Sequence, residues 1–458
     1  MNPDIFRAYD IRGIADDDLI DSVVFSIGQA FATMAVRRGE ENPRIGIGRD
    51  VRKSSDRIYE ALMEGMCKAG AHVVNLGVVP TPLVYFAAFT EGLDGAVQIT
   101  GSHNPGEYNG FKMMLGRDTL HGETIQELRE MIEAGDLVES DADLGCTAMA
   151  DLRKKYIEWV RGDLKMGARK LHIAMDSGNG VAGLLAPELL RDAAGVQVTE
   201  LYSEPDGTFP NHHADPTVAE NLQDLIEVVR KEGCDFGVAY DGDGDRIGVV
   251  DEQGRIIWGD RLLILFARQV LAEHPGATII GEVKCSQTLF DDIAKHGGVP
   301  VMARVGHSLI KAKIKETDAH LAGEMSGHIF FNDRFFGFDD ALYATCRLAE
   351  ILSRTHQPLS ALLADVPATF ATPEIRRECD ESVKFEIPGK VAAFFADDYE
   401  VNTLDGVRVQ FREGWGLVRA SNTQPVLVMR VEASSPEARD RYLKQLEDAL
   451  VRAEASLR

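Results

Sequence analysis

The sequence has few cysteines and no closely spaced pair of them. Only six of its 458 residues are cysteines. Since none falls in a Cys-x-x-Cys pattern, neither a disulfide framework nor a thiolate zinc site is predicted. We interpret all six as free thiols. They are Cys67, Cys146, Cys234, Cys285, Cys346 and Cys379.

Positive charge is also scarce. The chain has 49 Lys and Arg against 73 Asp and Glu, which gives a formal net charge of −24. Proteins that bind nucleic acid or anionic membranes need an extended basic surface, so both classes are excluded as general functions. Any anionic ligand must therefore meet a locally positive pocket.

Long apolar runs are missing as well. No stretch reaches the roughly 18 apolar residues that identify a membrane-spanning helix. The first seven residues of the chain lack the basic region and apolar stretch of a secretory signal. We therefore expect a cytoplasmic protein.

A chain of 458 residues is too long for one ordinary core, so length alone predicts three or four domains. Short β-branched runs at residues 44–48, 171–175 and 277–281 each precede a turn and a helical pattern, as in the opening strand of an α/β unit. Downstream of each, a second apolar run ends in a polar loop. Because open α/β sheets bind ligands beyond the carboxyl ends of their strands, we expect three related domains with one functional loop each.

Changes in composition indicate where the domains divide. Charged, small and proline residues replace the periodic pattern near residues 139–151 and 357–373. After about residue 366 the sequence is rich in predicted strands, and a closing helix starts at Pro436. We predict four domains, at residues 1–150, 151–251, 252–365 and 366–458.

The first polar loop contains Ser102 in a Thr-Gly-Ser-His-Asn-Pro sequence. Gly101 permits an unusual turn and Pro105 fixes its exit, so the loop can present the hydroxyl rigidly. Serine is a weak nucleophile without a neighbouring base or cation, and His103 and Lys112 are candidates for that assistance. The alternative is an ordinary turn whose serine caps backbone donors.

The second loop places three aspartates at alternate positions, Asp241, Asp243 and Asp245. The glycines between them let the backbone curl so that the carboxylates face one point, which suits a hard divalent cation. A calcium-binding EF-hand loop starts in a similar way, but Arg246 stands where that loop needs Gly, and the flanking runs are strand-like. We predict a Mg²⁺ site that a phosphate oxygen on modified Ser102 could complete. A solvated acidic turn is the alternative.

The third loop, Gly-Glu-Met-Ser-Gly-His, offers Glu324, Ser326 and His328. A carboxylate that accepts paired hydroxyl hydrogen bonds suits a sugar ring. His328, or Lys112 across the cleft, could move a hydroxyl proton. The alternative is a histidine with a structural role only.

A fourth polar turn, near the end of the chain, contains Arg419, Ser421, Asn422 and Thr423. A guanidinium, two hydroxyls, an amide and free backbone donors together match a phosphate dianion. An ordinary hairpin turn would have a similar composition. The turn nevertheless meets the requirement for a locally positive pocket.

Together these motifs resemble the α-D-phosphohexomutase superfamily, and most closely its bacterial phosphomannomutase/phosphoglucomutase group. The resemblance spans nearly the whole chain and includes seven strings in the family's order. They are residues 9–13, 100–105, 109–112, 241–246, 306–308, 323–328 and 419–425. The resemblance implies an α/β fold in which three similar domains with mixed sheets and a smaller C-terminal α+β domain surround a central cleft.

The resemblance also implies an isomerase that rests with Ser102 phosphorylated and with Mg²⁺ held by Asp241, Asp243, Asp245 and Ser102. The serine gives its phosphoryl group to a hexose 1-phosphate. The resulting hexose 1,6-bisphosphate, which also serves as activator, turns over in the cleft and returns the other phosphoryl group. Mannose and glucose phosphates are the small-molecule partners expected.

Roles for individual residues follow from the same resemblance. The expected catalytic residues are Arg12, Ser102, His103, Lys112 and His328. The expected substrate-binding residues are Tyr9, Arg246, Lys284, His307, Glu324, Ser326, Arg419, Ser421, Asn422 and Thr423. One position departs from the family, because Val305 stands where many relatives have Thr, and this leaves a hydroxyl contact there in question.

Three rival functions stay open. Phosphoglucosamine mutase is disfavoured by Met325 and Asn422, where that enzyme generally has Gln and Gly. A metal-dependent sugar phosphatase is disfavoured because a closing four-domain cleft suits the exclusion of water from a phosphoserine. A non-catalytic phosphosugar-binding protein would need no nucleophile such as Ser102.

Overall fold

The computed structural model describes residues 1–141, 144–421 and 425–457. Strands in this part of the chain form four sheets, which follow one another along the sequence. Each sheet and its helices are here called domain I, II, III or IV.

Domain I contains a seven-stranded sheet with helices on both faces. Its strands are β1 (Ile11–Ile14), β2 (Arg44–Arg49), β3 (His72–Val78), β4 (Gly95–Ile99), β5 (Tyr108–Leu115), β6 (Asp118–Thr119) and β7 (Cys146–Ala148). Its helices are α1 (Asp21–Arg37), α2 (Ser55–Lys68), α3 (Thr81–Thr90) and α4 (Glu123–Ala134). The strand order is β1-β5-β4-β2-β3-β7, with β6 beside β5.

Domain II contains a five-stranded sheet. Its strands are β8 (His172–Asp176), β9 (Gln197–Leu201), β10 (Phe236–Tyr240), β11 (Ile247–Asp251) and β12 (Ile256–Ile257). Its helices are α5 (Leu152–Asp163), α6 (Ala186–Asp192) and α7 (Gln223–Glu232). The strand order is β12-β11-β10-β8-β9, and every residue of β10 is buried.

Domain III contains a four-stranded sheet. Its strands are β13 (Thr278–Glu282), β14 (Val299–Ala303), β15 (Leu321–Gly323) and β16 (Ile329–Phe331). Its helices are α8 (Gly259–Glu273), α9 (Gln287–Lys295), α10 (His307–Thr317), α11 (Ala341–Ser353) and α12 (Leu359–Leu362). The strand order is β14-β13-β15-β16.

One strand pattern recurs in these three domains. In each, a first strand (β2, β8 or β13) pairs in parallel with a second and a third, and the third pairs antiparallel with a fourth. The predicted runs at residues 44–48, 171–175 and 277–281 coincide with the first strands. Each predicted functional loop joins the third strand to the fourth. The α/β class and its mixed sheets are therefore confirmed, whereas the proposed domain boundaries stay predictions.

Domain IV contains a six-stranded antiparallel sheet covered by two helices. Its strands are β17 (Phe370–Ala371), β18 (Ile375–Glu378), β19 (Glu400–Asn402), β20 (Val407–Phe411), β21 (Gly414–Ala420) and β22 (Val426–Ala433). Its helices are α13 (Ile387–Phe395) and α14 (Pro436–Ala455). The Ser435 hydroxyl accepts a hydrogen bond from the backbone N–H of Ala438, so it caps the predicted closing helix.

The buried apolar side chains form several separate clusters. The largest cluster joins domains I, II and III and contains Tyr85, Phe236 and Phe331, while domain IV has a core of its own. Among the described residues, every helix is too short or too polar to serve as a membrane span. Domains I to III thus share packing, and domain IV contacts domain III through the polar and apolar contacts described below.

Candidate active site

The loops after β4, β10 and β15 meet at one place. Oγ of Ser102, in the first loop, donates a hydrogen bond of 2.8 Å to Oδ2 of Asp241 in the second. Nε2 of His328, in the third, lies 3.2 Å from Oδ1 of Asp245. The structure thus brings the serine, aspartate and Glu-Met-Ser-Gly-His motifs into one buried cluster.

Ser102 is held on a strained turn. Its φ angle is +50°, in the left-handed region that residues with a Cβ rarely adopt, and its side chain is buried. Nδ1 of His103 lies 3.2 Å from Oγ of Ser102. Burial, followed by the positive charges of Arg246 and Arg12, holds the pKa of His103 well below its ordinary value. A neutral imidazole beside the hydroxyl can accept its proton.

The three aspartates are fully buried. Oδ1 of Asp241 accepts the backbone N–H groups of Gly244, Asp245 and Arg246 at 3.1, 3.2 and 3.1 Å, which curls the loop around it. Burial and the charges of Asp243 and Asp245 raise the pKa of Asp241 well above its ordinary value. Carboxylates this close repel each other, and a bound cation would relieve the repulsion.

A divalent cation fits these residues. One oxygen from each of Asp241, Asp243 and Asp245 lies within 4.8 Å of the others. Oδ1 of Asp243 is buried and has no hydrogen-bond partner among the described residues. A buried carboxylate oxygen without a donor is costly unless a metal completes it, so the donor set matches a hard, oxygen-preferring ion.

Lys112, on β5, supplies the nearest positive charge. Its ammonium donates to Oδ2 of Asp243 at 2.6 Å and also to Asp245. Burial would lower the pKa of Lys112, but Asp243 and Asp245 outweigh it and raise the pKa above its ordinary value. In this arrangement Lys112 is a cation held between two aspartates, and its role in moving a hydroxyl proton stays a prediction.

His328 lies between two carboxylates. Its Nδ1 is 2.7 Å from Oε2 of Glu324 and 3.1 Å from Oγ of Ser326. Burial would lower the pKa of His328, but Asp245 and Glu324 raise it to about 9. Oε1 of Glu324 also accepts the backbone N–H of Gly306 at 2.8 Å, which ties this loop to the start of α10.

Domain I contributes further residues to the same cleft. Nη1 of Arg12 donates to Oδ1 of Asn104 at 2.8 Å, next to the serine loop. The Tyr9 ring packs against Gly306, where an added Cβ would lie 2.7 Å from the ring. His307, the first residue of α10, is buried, and its ring centroid is 5.7 Å from that of His328.

The predicted residues Lys284 and Arg419 lie at the border between domains III and IV. Nζ of Lys284 donates to Oε2 of Glu374 at 3.4 Å. Nε of Arg419 is 3.2 Å from Oδ2 of Asp405, and Ser421 follows at the end of β21. Asn422 and Thr423 lie outside the described residues.

Val305 takes part in the contact between these two domains. Its backbone N–H donates to Oδ2 of Asp405 at 3.0 Å. Its side chain packs against a small apolar cluster of Val283, Trp415 and Leu417. The isopropyl group therefore fills a domain III–IV contact at the position where a hydroxyl was expected.

Sequence reasoning missed several residues that support the site. Oγ1 of Thr81, at the start of α3, donates to Oδ2 of Asp243 at 2.5 Å. Asp50 and Arg52, after β2, form hydrogen bonds with residues of the serine loop. A signal was available for this pair, because both directly follow a predicted first strand, where open α/β sheets place functional residues.

Comparisons with known proteins cover the whole chain. Four domain families match in succession: "Phosphoglucomutase/phosphomannomutase, alpha/beta/alpha domain I" at residues 3–139, domain II at residues 154–254, domain III at residues 258–370, and the C-terminal domain at residues 374–449.

Individual relatives are similar over nearly their full length. A phosphomannomutase/phosphoglucomutase of Pseudomonas aeruginosa is 47% identical over 458 residues, covering 99% of this chain and 96% of the relative. A phosphoglucomutase of Neisseria gonorrhoeae is 47% identical over 443 residues, covering 96% and 95%. The crystal structure of a phosphoglucomutase/phosphomannomutase family protein of Burkholderia thailandensis has a TM-score of 0.92 at 43% identity, covering 99% and 98%.

Proposed function

The chain belongs to the phosphoglucomutase/phosphomannomutase family, and on that basis we propose that it interconverts hexose 1-phosphates and hexose 6-phosphates of glucose, mannose or both. The observation that carries the proposal is the 2.8 Å hydrogen bond between Oγ of Ser102 and Oδ2 of Asp241. It places a nucleophile at a buried carboxylate cluster that suits a metal ion.

Ser102 is the residue we propose to carry the phosphoryl group. It accepts the group from a hexose 1,6-bisphosphate and gives it to either end of a hexose monophosphate. His103, neutral and 3.2 Å away, is positioned to take the hydroxyl proton when the serine attacks. The guanidinium of Arg246 and the ammonium of Lys112 neutralise charge on the moving group, which is how proteins catalyse most phosphoryl transfer.

We propose Mg²⁺ as the cation held by Asp241, Asp243, Asp245 and an oxygen of Ser102 or its phosphoryl group. When bound, Mg²⁺ supplies charge neutralisation for the phosphoryl oxygens. The partnerless Oδ1 of Asp243 supports this assignment.

His328 is the proposed proton carrier for the sugar hydroxyl. Its pKa, raised to about 9, keeps it protonated at neutral pH, ready to donate. Nδ1 of His328 faces Oε2 of Glu324, and Nε2 faces Oδ1 of Asp245. Glu324 and Ser326 would in addition bind ring hydroxyls of the sugar. These hydroxyls would then take the place of the present protein partners of Glu324.

The remaining residues hold the substrate in two orientations. Arg419 and Ser421, with Asn422 and Thr423, would anchor the phosphate that is not reacting, since a single anchor serves both orientations of the sugar. Tyr9, Arg12, Lys284 and His307 would line the cleft. The hexose 1,6-bisphosphate, as activator, would keep Ser102 phosphorylated.

The proposed compartment is the cytoplasm. Cys146, Cys234, Cys285, Cys346 and Cys379 are thiols outside any disulfide, which fits a reducing compartment.

A coupled assay tests the proposed function. With Mg²⁺ and a trace of glucose 1,6-bisphosphate, the protein should convert glucose 1-phosphate to glucose 6-phosphate, and mannose 1-phosphate similarly. Inorganic phosphate as the main product would contradict the proposal and favour a phosphatase. Parallel turnover of glucosamine 1-phosphate should be slower, and a preference for it would favour a phosphoglucosamine mutase.

A further inference from the structure

We propose that Asp50 and Arg52 are positioning residues that hold the Ser102 loop in its phosphoryl-accepting shape. This inference rests on the proposed role of Ser102. Neither residue touches the reacting hydroxyl, and both act through the backbone of the loop.

Arg52 is connected to the loop by four backbone carbonyls. Its Nη2 donates to the carbonyl of Ser102 at 2.8 Å and to that of Asn104 at 2.6 Å. Its Nη1 donates to the carbonyls of Pro105 and Tyr108, the latter at 2.9 Å. One planar guanidinium thus spans both ends of the turn.

Asp50 fixes the guanidinium and the entry to the loop at once. Its Oδ2 accepts Nε of Arg52 at 3.0 Å, the hydroxyl of Thr100 at 2.9 Å and the backbone N–H of Gly101 at 3.2 Å. The Thr100 hydroxyl in turn accepts the N–H of Ser102 at 2.8 Å. The peptides on both sides of Ser102 are therefore held by this pair.

The hydrogen bonds of Asp50 and Arg52 are shielded from water. The Arg52 and Asp50 side chains are 0% and 2% exposed, so no water replaces a lost bond. Ser102 adopts a φ of +50°, a strained conformation that persists only where its surroundings enforce it. Gly101 leaves room for the guanidinium, since an added Cβ there would lie 2.5 Å from Cζ of Arg52.

Domain III repeats the arrangement. Glu282 ends β13 as Asp50 follows β2, and it accepts the N–H of Lys284, two residues on, as Asp50 accepts that of Arg52. Oε1 of Glu282 also accepts the N–H of Met325 at 3.2 Å, in the loop after the third strand. In both domains an acidic residue at the end of the first strand supports the functional loop, which favours a positioning role over a chance ion pair.

Arg52→Lys tests the inference, because lysine keeps the positive charge but lacks the planar guanidinium that donates to several loop carbonyls at once. We expect kcat to fall about 100-fold with KM changed by less than about threefold, the pattern of a misplaced reacting group. The phosphorylation of Ser102 by glucose 1,6-bisphosphate, followed by intact mass, should slow in parallel. Arg44→Lys is the control, since Arg44 also donates to carbonyls, of Glu91 and Gly92, but at the opposite end of β2 from Arg52.

A second variant covers poor folding of the first. Asp50→Asn keeps the size of the side chain and should lower kcat about 10-fold without a matching rise in KM. Guanidinium ion added to Arg52→Gly should restore part of kcat where methylammonium does not, because only the planar guanidinium can donate to several loop carbonyls at once.

The outcomes separate the two claims. Full kcat and normal phosphorylation in folded Arg52→Lys or Asp50→Asn, with active wild-type enzyme, would overturn the positioning role alone. A wild-type protein without mutase activity would overturn the proposed function and this inference together.

Discussion

At the scale of single residues, the site balances negative charge against fixed cations. Asp241, Asp243 and Asp245 are all fully buried, and Lys112 lies against two of them. A buried carboxylate without a positive partner is costly. Because one ammonium faces three carboxylates, it stabilises the cluster only in part. The remaining negative charge suits a divalent cation.

Asp243→Asn should weaken the metal site. The change removes one charge and the partnerless Oδ1, while the amide keeps the size of the side chain. We expect kcat to fall about 100-fold at moderate Mg²⁺, as when one electrostatic group in a site is lost, with partial recovery at higher Mg²⁺. Steady-state titration with Mg²⁺ measures this. Asp397→Asn, an exposed position, serves as control, and an unchanged Mg²⁺ dependence in Asp243→Asn would contradict the assignment.

The contiguous motifs could be predicted from the sequence because one short loop carries several functional groups. Ser102, the three aspartates and His328 are examples, and the structure brings them together. Thr81 could not be found in this way, since it belongs to α3 and reaches Asp243 only after the domains pack. The charge state of Lys112 also depends on that packing.

At the scale of elements, the first three domains position their functional loops with the same strand arrangement. A third strand ends at the cleft and an antiparallel fourth strand leaves it, so the loop between them is fixed at both ends. Apolar runs bounded by turns predicted these strands, whereas the seven-stranded extent of the first sheet depends on short pairings without a clear pattern. The start of helix α11 is also buried.

Asp340 is the N-cap of helix α11, and this residue should make stability depend on pH. Its Oδ1 accepts the N–H of Tyr343 at 2.8 Å, its Oδ2 accepts the hydroxyl of Tyr156 at 2.6 Å, and burial raises its pKa to about 7. Between pH 4 and 7 the folded state therefore holds a proton that the unfolded state has released. Stability contributed by this group is fully present below about pH 4 and is lost as the pH rises to about 7.

Asp340→Asn should remove this dependence. From pH 5 to pH 8 the wild-type free energy of unfolding should fall by about 2 to 3 kcal/mol more than that of the variant. Urea unfolding of both proteins at the two pH values measures the difference. Parallel pH profiles would show that Asp340 ionises normally in the folded state.

At the scale of the whole molecule, domain IV is connected by polar contacts to domain III. Nη1 of Arg408 donates to the carbonyls of Val283 and Cys285 at 2.6 and 2.9 Å. Oδ2 of Asp405 accepts the N–H of Val305 at 3.0 Å and lies 3.2 Å from Nε of Arg419. Asp405 thus orients the proposed phosphate anchor and holds domain IV against the cleft. This cross-domain role has no local motif, so it was not predictable from the sequence.

Asp405→Ala should therefore affect substrate binding more than chemistry. We expect KM for glucose 1-phosphate to rise about 10-fold, the effect of losing about 1.4 kcal/mol of binding, with kcat within about threefold of wild type. Steady-state kinetics tests this. Asp398→Ala, an exposed change in the same domain, should leave both constants unaltered. A fall in kcat alone would place Asp405 in the chemical step instead.

The whole proposed reaction depends on Ser102 as the carrier of the phosphoryl group between substrates. Intact-mass analysis after treatment with glucose 1,6-bisphosphate and Mg²⁺ tests it most directly, alongside turnover of Ser102→Ala. We expect one phosphoryl group on the wild-type protein, none on Ser102→Ala, and a loss of activity on the order of 1000-fold or more in the variant. A fully active Ser102→Ala protein, or wild-type turnover without any phosphoryl adduct, would contradict it.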